Sequence, residues 1–216
     1  MTPFELAQRI DFSLVGPEVS RYEVEQGCEL AKRLRLYAVV VKPHYVELAR
    51  KVIKEGRVKI VSVVGFPHGG VTTAVKMVEA RDVLQRGADE IDMVINIGAL
   101  RDNDALVVKN DIAIVAKTAR SHPVKVILET GFLSEEEIVR GCKLAEDAGA
   151  SFVATSSGYG PGGATAEDLR IMRNTLGPTM QIKAAGITSW QIALLAVESG
   201  VARIGTTTPD RILRGE

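Results

Sequence analysis

The 216-residue chain has no excess of charge of either sign, with 27 Lys and Arg set against 27 Asp and Glu. No run of basic residues exceeds two. That excludes a nucleic-acid or polyanion surface built on a basic stripe. Long apolar runs are missing as well. Stretches such as Val39–Val41 fall far short of the ~20 residues that a membrane helix needs. Cysteine is scarce: Cys28 and Cys142 lie in segments of helical pattern, without metal-ligand spacing, which fits a reducing compartment. The opening MTPFELAQRI reads as the start of a helix rather than a signal peptide, so a cytoplasmic protein without membrane contact is expected. No Pro- or Ser-rich linker or shift of composition divides the chain, and residues 1–216 are read as one domain.

What is present is a regular alternation of short apolar segments and longer amphipathic ones. Strands are expected at Ile10–Val15, Ala38–Lys42, Lys59–Phe66, Glu90–Ile97, Val124–Thr130, Ser151–Ser156, Met180–Ala185 and Ala202–Gly205. Apolar residues at three- and four-residue spacing mark helices at Val71–Arg86, Glu135–Ala148 and Ala166–Leu176. Ser134-Glu135-Glu136-Glu137 has the form of a capping box, and Pro17 suits a helix first turn. Strand and helix repeat every ~27 residues, which predicts an α/β protein of the (β/α)8 TIM-barrel class. An open doubly wound sheet is the competing architecture. It is disfavoured because no glycine-rich turn follows the first strand.

Alternation along each strand assigns faces. Central parallel strands are normally apolar on both faces, so polar residues within them call for a reason. In the fourth strand Asp92, Val94 and Asn96 share a face. In the fifth, Ile127 and Glu129 oppose Val126 and Leu128. In the seventh, Lys183 and Ala185 oppose Ile182 and Ala184. Placing the polar set inside gives an interior of Asp11, Lys42, Asp92, Asn96, Glu129, Ser156 and Lys183, most of them near the C-terminal strand ends where barrel enzymes carry their chemistry. A buried ion-pair network that merely shapes the core is the alternative, although such networks are weak stabilisers. Loops rich in glycine and hydroxyl residues follow the last three strands: Ser156–Gly163, Ala185-Gly186 and Gly205–Thr208. Such loops present backbone N–H groups to a phosphate without net basic charge. Plain tight turns would look the same.

Four segments carry a family resemblance. They are Val64–Gly69 (VGFPHG), Gly87–Leu100 (GADEIDMVINIGAL), Lys125–Thr130 (KVILET) and Ser157–Thr165 (SGYGPGGAT). Together they closely resemble the deoxyribose-phosphate aldolases, and the likeness runs from about Ile10 to the last strand. The resemblance implies a (β/α)8 barrel, a small sugar phosphate or aldehyde as substrate, no metal or cofactor, and a homodimer. It also implies a class I aldol cleavage in which a sixth-strand lysine forms a Schiff base. A seventh-strand lysine lies nearby, and a fourth-strand aspartate moves protons. Residue by residue, the aspartate falls on Asp92 and the seventh-strand lysine on Lys183. The Schiff-base position falls on Ala154.

Other departures gather at the same place. Phe12 stands where the family usually has histidine, Val40 where cysteine is frequent, and Lys42 where asparagine is frequent. The loop at Gly186 is one glycine short, and Thr207-Thr208-Pro209 replaces a serine pair. The candidate catalytic groups are therefore Lys183, Asp92, Lys42 and Glu129, with the imine relocated to Lys42 or Lys183. Adjacent lysines would repel each other and restore a reactive amine. Candidate substrate and phosphate ligands are Asp11, Asn96, Ser156, Gly158, Gly186, Gly205 and Thr207. The alternative is a relative that binds sugar phosphates, or enolises them through Asp92 or Glu129, without a covalent step.

Overall fold

The computed structural model describes residues 1–54 and 56–216. Eight parallel strands close into a barrel in sequence order. They are β1 (Ile10–Leu14), β2 (Ala38–Val41), β3 (Lys59–Val64), β4 (Glu90–Val94), β5 (Val124–Ile127), β6 (Phe152–Ala154), β7 (Gln181–Ala185) and β8 (Arg203–Thr206). Every expected strand is present, and the fold is a single (β/α)8 barrel. Six of the strands stop earlier than expected, β1 by one residue and β2, β3, β4, β5 and β6 by one to three. Residues beyond those ends no longer alternate in and out, because alternation belongs to extended backbone.

Helices cover the outside. Those at Thr73–Gln85, Glu135–Asp147 and Ala166–Thr175 match the expected spans to within two residues. Ser134 caps its helix as its sequence implies: its side chain accepts from the Glu137 N–H, and Glu137 accepts from the Ser134 N–H. Pro17 lies in the turn before a helix that begins at Arg21 with Ser20 as its cap, rather than in that helix's first turn. The apolar faces of strands and helices merge into one main core, which includes both cysteines. Burial pushes the thiols of Cys28 and Cys142 up to about 12, so both are unreactive. Among the described residues no helix is long and apolar enough to cross a membrane.

The helix Thr73–Gln85 does more than cover the sheet. Its Lys76 is wholly buried, pairs with Asp111 of the neighbouring helix Ala105–Ala119, and donates to the Val94 carbonyl at 2.8 Å. One turn on, Glu79 accepts from the Gly65 N–H at 2.7 Å. Two charged side chains of one helix thus hold the C-terminal ends of β3 and β4. Close packing continues at Gly69, whose φ is +69° and whose Cβ, if present, would lie 1.8 Å from the Ile95 carbonyl oxygen. Removing one partner of a buried pair leaves the other charge stranded, at a cost of about 3–5 kcal/mol. Lys76→Met is therefore expected to lower the unfolding free energy by about that amount in urea titrations. Lys76→Met with Asp111→Leu should recover much of the loss. An unaltered midpoint in the single variant would show that the clamp carries no weight.

Candidate active site

The C-terminal mouth of the barrel holds a cavity of about 210 Å3. One wall is apolar, formed by Val15, Val40, Val63, Phe66 and Ile127. The facing wall carries Asp92, Lys183 and Ser156, Gly205 lines the cavity from β8, and the loops after β6, β7 and β8 bring Gly158, Gly186 and Thr207 to the rim. Most of the expected substrate ligands therefore line one space. Ser156 is almost fully buried, and its hydroxyl bonds no protein atom.

Beneath the cavity lies a file of buried charges. Lys183 Nζ donates to Asp92 Oδ2 at 2.6 Å and lies 2.7 Å from Asp11 Oδ2. Lys125 Nζ donates to Asp92 Oδ1 at 2.8 Å and lies 2.7 Å from Glu90 Oε2 and 3.9 Å from Asp11 Oδ2. Asp92 thus places one oxygen on each ammonium. Burial alone would raise its carboxyl, but Lys125 and Lys183 outweigh that effect and hold it below its ordinary value. Glu90 is held down likewise, burial being outweighed by Lys125 with help from the Tyr37 hydroxyl. Burial would lower the Lys125 ammonium, but Asp92, Asp11 and Glu90 together hold it above its ordinary value.

Three residues expected inside the barrel are placed elsewhere. Lys42 follows the end of β2, and its Nζ donates to the carbonyls of Gly16, Pro17 and Val19 at 2.6, 3.2 and 3.1 Å. It props the loop after β1 and does not approach Lys183's carboxylate partners. Asn96 lies past the end of β4 and caps the helix Ile97–Arg101, its side chain accepting from the Ala99 N–H at 3.1 Å. Glu129 lies two residues past the end of β5, at φ +61°, a left-handed conformation unfavourable for a side chain of its size. Its carboxylate accepts from the Ser157 N–H at 3.1 and 3.2 Å and from the Ser157 hydroxyl, so it fastens the loop after β6. Tyr159 of that loop donates to the Val15 carbonyl at 3.2 Å and meets Phe66 edge-on, shaping the mouth.

Two interior charges escaped the sequence reading. Glu90 shares its face with Asp92, and Lys125 shares its face with Ile127, so the same alternation points both inward. Each sits at the entry of its strand, where a charged residue reads as solvent-facing. On β6, Ala154 is fully buried, pairs in register with Lys183 and packs against Val94 and Ile127. The position that resemblance assigns to a Schiff-base lysine is thus a methyl group on an apolar surface. Lys183 carries the one amine among the described residues that line the cavity.

A closed parallel barrel with a lysine–carboxylate centre at its C-terminal mouth has the form of a barrel enzyme's active site. Residues 8–202 match the model of the DeoC/LacD family aldolases. A deoxyribose-phosphate aldolase of Thermococcus kodakarensis is 48% identical over 220 residues, covering 100% of this chain and 98% of its own. One of Dictyoglomus turgidum is 40% identical over 216 residues, covering 100% and 99%. The tetrameric deoxyribose phosphate aldolase of Aeropyrum pernix superimposes with a TM-score of 0.91 at 30% identity, covering 99% of this chain and 91% of that one. Dihydrodipicolinate synthase of Aquifex aeolicus, at 14% identity and a TM-score of 0.67, shares the barrel alone. The chain belongs to the DeoC/LacD aldolase family.

The lowered carboxyls of Asp92 and Glu90 give stability a definite pH dependence. Their contribution is complete above the ordinary carboxylate range, near about pH 4, and is lost as the pH falls through and below it. Denaturant midpoints should drop steeply on acidification below about pH 4. Asp92→Asn should be less stable at neutrality and show a shallower acid slope. Equal slopes for the two proteins would refute this account.

Proposed function

We propose that this protein is an aldehyde-lyase that reversibly cleaves a small sugar phosphate of the 2-deoxyribose 5-phosphate type, with Lys183 as the imine-forming amine. The observation that carries the proposal is the position of Lys183 on the cavity wall, 2.6 Å from Asp92, while Lys42 is occupied by loop carbonyls. The curated relatives at 48% and 40% identity bear the name of that activity over their whole length.

In the forward direction Lys183 hands a proton to Asp92 and its free amine attacks the substrate carbonyl. Loss of water leaves an iminium, which draws in electrons. Asp92, having given its proton to the departing water, takes the proton of the hydroxyl two carbons away from the iminium carbon. The bond between the α-carbon and that carbinol carbon then breaks, releasing glyceraldehyde 3-phosphate and an enamine. Protonation of the α-carbon, for which Asp92 is the placed acid, and hydrolysis release acetaldehyde and restore the lysine. The apolar wall excludes water from the enamine. The Ser156 hydroxyl and the N–H groups around Gly186, Gly205 and Thr207 receive substrate hydroxyl and phosphate oxygens.

One observation favours a second reading. Lys183 lies between two carboxylates, at 2.6 and 2.7 Å, which suits an ammonium that polarises a carbonyl without attacking it. Borohydride trapping with deoxyribose 5-phosphate, followed by peptide mapping, separates the two. The expected adduct lies on Lys183, persists in Lys42→Met and vanishes in Lys183→Met. Asp92→Asn should slow turnover by about 10²–10⁴-fold. Turnover without an adduct would establish the non-covalent route. The absence of both turnover and adduct would overturn the lyase reading.

A further inference from the structure

Two of the buried charges have no place in the chemistry just described. Lys125 and Glu90 are 0% and 4% exposed at their side chains, and neither lines the cavity. A buried ion pair is a weak source of stability, which leaves their presence to be explained by the geometry they impose. The polar groups form a single file: Tyr37, Glu90, Lys125, Asp92, Lys183, Asp11. Two of its three carboxylates, Glu90 and Asp92, divide their oxygens. Glu90 accepts from the Tyr37 hydroxyl on Oε1 at 2.7 Å and faces Lys125 with Oε2 at 2.7 Å. Asp92 gives Oδ1 to Lys125 and Oδ2 to Lys183. The guanidinium of Arg203 stacks 3.5 Å over the Tyr37 ring and closes the file at the N-terminal end of the barrel.

We propose that Glu90 is a positioning residue for Asp92, acting through Lys125, and that Tyr37 anchors it from the end of the barrel opposite the cavity. The inference rests on the reading in which Asp92 moves the proton. Lys125 from β5, Lys183 from β7, Asp11 from β1 and Glu90 on its own strand are the charged groups around Asp92. Lys125, Tyr37 and the stacked Arg203 are those around Glu90. Glu90 draws the Lys125 ammonium toward the barrel floor and so moderates the positive charge that Asp92 meets. Tyr37 keeps one Glu90 oxygen away from Lys125, which stops Glu90 from capturing that ammonium outright.

The two ends of this arrangement respond in opposite senses. Glu90→Gln keeps the shape and removes the charge, so Lys125 turns fully to Asp92 and Asp11. Asp92 becomes harder to protonate, and the acid limb of the kcat/KM profile moves down by about one pH unit. Tyr37→Phe frees both Glu90 oxygens for Lys125, which retreats from Asp92, and the acid limb moves up. Crystal structures of the two variants supply a reading that needs no turnover: the Lys125–Asp92 separation should hold or shorten in Glu90→Gln and lengthen in Tyr37→Phe. Opposite shifts of the profile with that geometry establish the proposal. An unaltered Lys125–Asp92 contact in Tyr37→Phe overturns it, as does altered geometry with an unmoved profile. If Glu90→Gln fails to fold, Tyr37→Phe alone decides. If the wild type shows no turnover, the lyase reading fails by itself, and the variant geometry still decides the positioning role.

Discussion

Everything at the mouth of this barrel depends on Asp92 standing between two ammonium groups. Its carboxylate is nearly inaccessible to water and would be unstable there alone. Lys125 and Lys183, one on each oxygen, make the charge tolerable. They also differ in what they see. Lys183 borders the cavity, whereas Lys125 is enclosed by Asp11, Glu90 and Asp92. One lysine is therefore available to a substrate, and the other regulates the carboxylate from behind. The same contacts orient Asp92 and set its protonation, so geometry and acid–base behaviour cannot be altered separately.

The clamps around this centre act on the strand ends that carry it. Lys76 holds the Val94 carbonyl two residues beyond Asp92, and Glu79 holds the Gly65 N–H beside the cavity residues Val63 and Phe66. Glu129 accepts an unfavourable backbone conformation while fastening Ser157, and Lys42 gathers three carbonyls of the loop after β1. Tyr159 then joins that loop to the one after β6. Lys42 and Glu129, two of the candidate catalytic groups, are thus engaged in holding loops of the mouth.

The barrel was legible in the sequence because eight apolar segments and their intervening helices repeat at nearly constant length. Within the true strands, alternation placed Asp11, Asp92 and Lys183 correctly inside. It failed at Lys42, Asn96 and Glu129 for one physical reason: each lies past the last extended residue, where the backbone has turned and parity has no meaning. The apolar pattern continues past the strand ends because the loops also pack on the core, so composition does not mark the boundary. Lys125 and Glu90 were hidden for the opposite reason. Their parity was readable, but a charge at a strand entry reads as solvent-facing, and the pairing of Lys125 with Glu90 and Asp92 shows only once β5 is set in register beside β4. The sequence suggested two lysines against three carboxylates, and the interior has that ratio with two members exchanged: Lys125 for Lys42, and Glu90 for Glu129.

Small residues decide how Lys183 can be used. A Cβ at Gly205 would lie 3.3 Å from the Lys183 Cε and 3.0 Å from the Ala185 Cβ, so the absent side chain gives the lysine its course along the barrel wall. Ala154, in register with Lys183 on the adjoining strand, keeps that side of the floor low and apolar. A longer side chain there would project toward the amine and share its carboxylates. With a methyl instead, Lys183 shares Asp92 and Asp11 with Lys125 alone, and among the described residues that line the cavity Asp92 and Lys183 carry the charge. A substrate carbonyl entering this cavity is therefore presented to a single amine. On the proposed lyase reading, Lys183 rather than a second lysine beside it is then the amine that meets the substrate.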